Sequence, residues 1–144
     1  MKSVVEVDIN VSQARLAALF ADPRLVPEWK DDVERYEPIR GDHGMAGSRY
    51  RLIPKTGPMV FDVTVQARNI PTELRLLLEA STVTIAARAT FTAVDSTRSR
   101  LRSEEKFMFK GLLRHIVGFS ARGAIRMAHA RHIDAFKRFA EQRQ

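Results

Sequence analysis

The 144 residues include no cysteine. A disulfide-stapled scaffold is therefore excluded, and so is any thiolate metal site. Glycine and proline are scarce, at seven and six residues, which excludes a collagen-like fibre. The chain is 44% apolar and 28% charged, too apolar for a disordered tail. No apolar run approaches the ~18 residues of a membrane span. The opening residues lack the apolar stretch of a secretory signal, since Glu6 and Asp8 interrupt it at once. A cytoplasmic protein is the expectation, with residues 1–144 forming one domain of ordinary size.

What is abundant is positive charge, and it is unevenly placed. The formal net charge is +7. Residues 1–97 hold 12 Lys and Arg against 13 Asp and Glu, while residues 98–144 hold 12 against 4. A basic block of this kind points to an anionic partner or to the solvated face of a terminal strand and helix.

The alternation of Val5, Val7 and Ile9 with polar neighbours predicts a first strand. Ser12 reads as an N-cap for a helix carrying Leu16, Leu19 and Phe20. Asp22-Pro23 marks a second short helix, with Leu25, Val26, Trp29 and Val33 as its apolar positions. Six alternating runs follow: Val33–Ile39, Ser48–Pro54, Met59–Asn69, Glu73–Ala80, Thr82–Val94 and Arg98–Phe109. Short turns separate them, which predicts an antiparallel meander. Residues of about 112–142 read as one long helix, roughly 45 Å in length. Such a helix is too long for a small sheet unless the sheet curls around it.

Strand parity assigns an inner face. Leu101, Ser103, Glu105, Phe107 and Phe109 share one side of the last strand, and Arg98, Arg100, Arg102, Glu104 and Lys106 share the other. The preceding strand turns Val83, Ile85, Ala87, Ala89, Phe91 and Ala93 inward. At 100° per residue, Ala121, Ala124, Ile125, Ala128, His132, Ala135, Phe136 and Phe139 form the inner stripe of the helix. Alanines facing one another across a curved sheet leave room for a guest. The other reading is that Phe61, Phe107 and Trp29 fill that space.

Other signals are weak. Gly41, Gly44 and Gly47 precede a strand rather than a helix, so they form a hairpin turn and not a phosphate loop. His43, His115, His129 and His132 show no strong metal spacing, and neither a metal nor a cofactor is expected. Ser120 lacks the Gly-x-Ser-x-Gly context of a nucleophile elbow. The acids Glu28, Asp31, Asp32 and Glu34 read as a solvated face. No aromatics interleave with the arginine row, which disfavours nucleic acid.

The element order resembles the START-like (SRPBCC) superfamily. So do the Asp22-Pro23 and Pro27-Glu28-Trp29 helix pair, the turn ending Gly47-Ser48-Arg49-Tyr50, the Pro71 turn and the long C-terminal helix. That group includes polyketide cyclase/dehydrase, lipid-transport and birch-pollen-allergen-like proteins. The resemblance implies an α+β helix-grip fold. A curved seven-stranded antiparallel sheet would wrap the long C-terminal helix, two short helices would follow the first strand, and an apolar cavity would lie between sheet and helix. It implies no catalytic residue, because the family has no universal catalytic motif.

The leading expectation is binding, or transport, of a hydrophobic small molecule or lipid in that cavity. Its expected contacts are Trp29, Tyr50, Leu52, Phe61, Val63, Leu76, Ile85, Ala87, Glu105, Phe107, Ala128 and His132. Tyr50, Glu105 and His132 would orient a polar end. The loops Gly41–Gly47 and Lys55–Pro58 and the Trp29 helix would form the mouth. Two other readings stay open. One is a cyclase- or dehydratase-like enzyme using Glu105 and His132 as an acid/base pair with Tyr50 as hydroxyl donor. The other is an interaction module in which Arg98, Arg100 and Arg102 meet an anionic partner such as a membrane surface.

Overall fold

The computed structural model describes residues 1–116 and 118–143. Strand β1 (Lys2–Ile9) leads into helix α1 (Gln13–Ala21), a 3-10 turn at Pro23–Leu25 and the short helix α2 (Val26–Trp29). Six strands follow: β2 (Val33–Arg40), β3 (Arg49–Pro54), β4 (Phe61–Asn69), β5 (Glu73–Glu79), β6 (Val83–Asp95) and β7 (Arg98–Phe109). The short helix α3 (Leu113–Ile116) and the long helix α4 (Phe119–Gln142) complete the chain.

Local chemistry sets the helix starts. Ser12 is extended and its hydroxyl accepts the amide of Arg15, filling one of the free donors of the first turn. The Asp22 carboxylate accepts the Arg24 amide, and Pro23 follows it, where a missing N–H leaves nothing unsatisfied. Val33 opens β2 and is not part of the second helix.

All seven strands form one antiparallel, curved sheet in the order β1-β7-β6-β5-β4-β3-β2. The six strands after α2 follow as a meander. β1, made first, pairs with β7, made last, in a register running from Lys2 opposite Lys106 to Ile9 opposite Ser99. The edges of the sheet are therefore β1 and β2, and the segment holding α1 and α2 connects them. Inward parity survives along β7 and β6, except that Ala93 is exposed near the β6–β7 turn. In β2 a bulge between Val33 and Arg35 shifts the alternation, so Tyr36 as well as Val33 turns inward.

The C-terminal helix is shorter than the sequence pattern predicts. α4 has 24 residues, or about 36 Å. Gly111 and Gly118 bracket α3; Gly118 is extended and offers no capping side chain. The apolar pattern runs through the break, but Leu112, Ile116 and Phe119, which carry it, are exposed. Among the described residues, no helix is long and apolar enough to cross a membrane.

Candidate functional site

The inner face of α4 is centred on His129, Ile133, Phe136 and Ala140, all buried. The stripe centred on His132 is thus rotated from its expected position. His132 lies at its edge, and Ala121 and Ala124 are exposed.

Phe136 packs in an aromatic cluster at the closed end of the fold. Phe20 stacks on Trp29 with centroids 5.5 Å apart, and Phe136 meets both rings edge-on at 4.9 and 5.1 Å. Of the three rings expected to fill the interior, only Trp29 belongs to this cluster, while Phe61 and Phe107 border open space. Beyond the cluster the filling stops. An inner chamber of about 80 Å³ lies among Phe20, Trp29, Tyr36, Leu52, Val63, Leu74, Leu76, Leu78 and the alanines Ala87 and Ala89. A larger space of about 320 Å³ lies nearer the surface, against Phe61, Ile85, Phe107, Ile125, Ala128 and the β3–β4 loop from Thr56 to Met59. The two spaces share Lys30, Leu52, Leu78, Glu105, His129 and His132. Lys30, Glu105, His129 and His132 thus stand at the waist between two largely apolar compartments.

The waist is built from two histidines one turn apart on α4. His129 reaches the sheet. Its Nδ1 lies 2.8 Å from the Ser3 hydroxyl on β1, and its Nε2 lies 2.9 Å from the Ser103 hydroxyl on β7. A neutral imidazole has one N–H and one lone pair, so one serine accepts from the ring and the other donates to it. Burial pushes the His129 pKa below its ordinary value, which keeps the ring neutral; the nearby Glu105 carboxylate opposes that effect. Glu105 Oε1 stands 3.7 Å from His129 Nδ1, and its carboxylate forms no hydrogen bond among the described residues.

His132 reaches the other way. Its Nε2 meets Asp32 at 3.0 Å, and the Asp32 carbonyl accepts the Lys55 amide at 2.9 Å. These bonds tie α4 to the α2–β2 connection and to the β3–β4 loop at the rim. The hydrogen bond from His132 holds the Asp32 carboxyl below its usual range. The expected Glu105–His132 pair is thus replaced by two others, Glu105 with His129 and Asp32 with His132. The cause is the helix rotation, which points one histidine at the sheet and the other at the rim.

Eleven of the twelve expected contacts border one space or the other. Tyr50 does not. Its ring is buried and stacks on Tyr36 at 4.8 Å. Its hydroxyl accepts the Gly44 amide at 2.6 Å and lies 3.4 Å from His43 Nδ1, so it fastens the β2–β3 turn and borders neither space. Tyr36 takes the place beside the chamber. Its hydroxyl forms no hydrogen bond among the described residues, and burial raises its pKa. The Gly41–Gly47 turn packs near Pro23 and the end of α1, away from the mouth. Sequence reasoning missed His129 and Tyr36. A helix phase fitted only to residues 129–140 of α4 would have found His129, because the residues that open the helix are exposed. The bulge that turns Tyr36 inward leaves no signal in the sequence.

Asp31, Asp32 and His132 bring ligand-type atoms within 4.8 Å of one another and could hold a metal ion at the rim. The Asp32–His132 hydrogen bond already uses two of these groups. On the outer face of the sheet, Arg98 pairs with Asp95 at 3.6 Å, Arg100 with Asp8 at 2.7 Å and Arg102 with Glu104 at 2.8 Å. The Arg100 contact holds the Asp8 carboxyl below its usual range.

No family model and no curated protein matches the sequence. Solved structures do match the fold. Ara h 8.0201 superposes with a TM-score of 0.75 at 14% identity, covering 97% of each chain. A START superfamily protein from Mycobacterium smegmatis gives 0.73 at 12% identity, over 99% of this chain and 95% of the other. Norcoclaurine synthase from Thalictrum flavum, solved with dopamine and hydroxybenzaldehyde, gives 0.70 at 12%, over 100% and 89%. The chain has the START-like helix-grip fold.

Proposed function

We propose that this protein binds a hydrophobic small molecule between the sheet and α4. Its apolar body would occupy the two compartments, and one polar group would meet Glu105, His129 and Lys30 at the waist. The observation that carries this reading is the composition of the paired spaces, apolar walls around a few convergent polar groups. Burial of apolar surface at about 25 cal/mol per Å² would supply the affinity, and the waist would set the orientation. Carriage of a lipid between membranes is the natural extension of the reading.

The test is native mass spectrometry of the purified protein, with Ala87→Leu as the comparison. Ala87 borders the inner chamber, and the larger side chain would occupy it. A co-purified mass in the wild type that is lost in a folded Ala87→Leu protein supports the reading. An interior that takes up no apolar molecule, even when offered fluorescent apolar dyes, overturns it.

One observation favours chemistry as well as storage: Glu105, with no hydrogen bond of its own among the described residues, stands 3.7 Å from His129. An acid/base pair needs two such groups within reach of one substrate. Under pure binding, the co-purified molecule would return unchanged after incubation. Conversion that disappears in Glu105→Gln would instead assign a cyclase- or dehydratase-like reaction, carried by Glu105 and His129.

A further inference from the structure

The stretch between Glu105 and Asp134 contains six Lys and Arg and no acid. Elsewhere arginines are commonly paired, as on the outer face of β7. Along α4 from Phe119 to Arg131 they are not. Arg122, Arg126 and Arg131 are exposed, and none has a carboxylate partner among the described residues. Large apolar side chains stand exposed in the same region: Leu112 at 83%, Ile116 at 71%, Phe119 at 92% and Met127 at 74%. Spacing places them together. Phe119, Gly123 and Met127 follow one another at four-residue steps on the helix, with Arg122 and Arg126 alongside.

We propose that α3 and the first half of α4 form a docking surface for an anionic lipid bilayer. Only an occupant that takes both apolar side chains and cations satisfies this face. A second copy of the chain would bring the same six cations against these and be repelled. A nucleic acid would meet the cations but leave Leu112, Ile116 and Met127 against water. A bilayer with acidic headgroups takes both, with Phe119 and its neighbours at the acyl boundary and the arginines among phosphates. The same half-helix borders the mouth through Ile125 and Ala128, opposite Met59 of the β3–β4 loop. Met59 and Val60 are themselves exposed. Docking by this face sets the mouth beside the membrane. The inference rests on surface residues alone and stands whether or not the cavity holds a ligand.

Co-sedimentation of the full chain tests it, with phosphatidylcholine vesicles prepared with and without phosphatidylserine. Binding should require phosphatidylserine and fall with added salt. Replacing Arg122, Arg126 and Arg131 by Gln together should weaken it by about fivefold per charge. Removing the same charge from the outer face of the sheet, by Arg49→Gln, Arg51→Gln and Arg75→Gln, should leave it unchanged. Phe119→Ser, at a side chain that makes almost no contact, should weaken binding with an unaltered thermal melt, and it serves alone if the triple variant melts early. Equal sedimentation with both vesicle types would overturn the proposal. So would equal losses in the two triple variants, a dimer in light scattering that Phe119→Ser dissociates, or tighter binding to a DNA duplex than to the vesicles.

Discussion

His129 joins three elements through one ring: α4, β1 through Ser3 and β7 through Ser103. Its folded pKa lies below the ordinary value of 6.5, so on acidification the unfolded chain takes the proton first. The stability this provides is whole above that pH and drains away as pH falls through 6.5 toward the folded pKa. Thermal melts between pH 8 and pH 5 should show a falling midpoint in the wild type and a flatter one in His129→Leu. The same variant should lose about 1–3 kcal/mol at neutral pH, since two buried hydroxyls lose their partner. Ser103→Ala should cost about 1 kcal/mol and leave the slope with pH in place. Sequence pattern alone puts Glu105 and Ser103 on the inner face, because strand parity has period two and β7 is regular. It puts the wrong histidine at the centre of the stripe. His129 and His132 differ by less than one helical turn, and the exposed apolar residues at the start of α4 pull the fitted phase away from that of residues 129–140.

At the scale of elements, turn and cap chemistry is readable wherever one residue does the work. Asp22 is such a residue. Asp22→Ala removes the oxygen that accepts the Arg24 amide, and the unfolding free energy measured by denaturant titration should fall by about 1 kcal/mol. Gly41 is another. Its φ is +87°, and a Cβ there would stand 2.9 Å from the Ser48 backbone. An unstrained Gly-to-Ala exchange stabilises by up to roughly 1 kcal/mol, whereas Gly41→Ala should destabilise by more than that amount. The measurement is chemical denaturation, with Gly47→Ala as the comparison, since only φ and no neighbour opposes a Cβ there. Strands β3 to β7 lie within two residues of their predicted limits, because alternation and short turns are both local signals. The start of α4 is not so placed. Leu112, Ile116 and Phe119 continue a helical apolar pattern, yet they face outward, and a pattern does not say which partner it is meant for.

At the scale of the whole molecule, the curl of the sheet is legible only indirectly, from a helix too long for a flat one. The waist of the cavity is not legible at all, since it depends on distances among α4, β7 and the α2–β2 connection. The β1–β7 pairing is written in charge as well as in hydrogen bonds. Asp8 meets Arg100, and Glu6 meets Arg102, across strands whose paired residues stand 92 positions apart in the first case. These surface pairs contribute little energy singly. A one-residue slip would set β1's acids facing inward and Val5 and Val7 outward, so register and charge agree.

That pairing also sets an order of events at the ribosome. β1 emerges first, and the strand it must join is the last of the sheet to be made. Until β7 appears, β1 and the growing edge at β6 both offer unpaired backbone to other chains. A nascent chain halted at residue 97 carries a sheet open on the side where it should close. The acids of β1, which later meet the arginines of β7, give that waiting strand the charge that keeps it apart from its own copies.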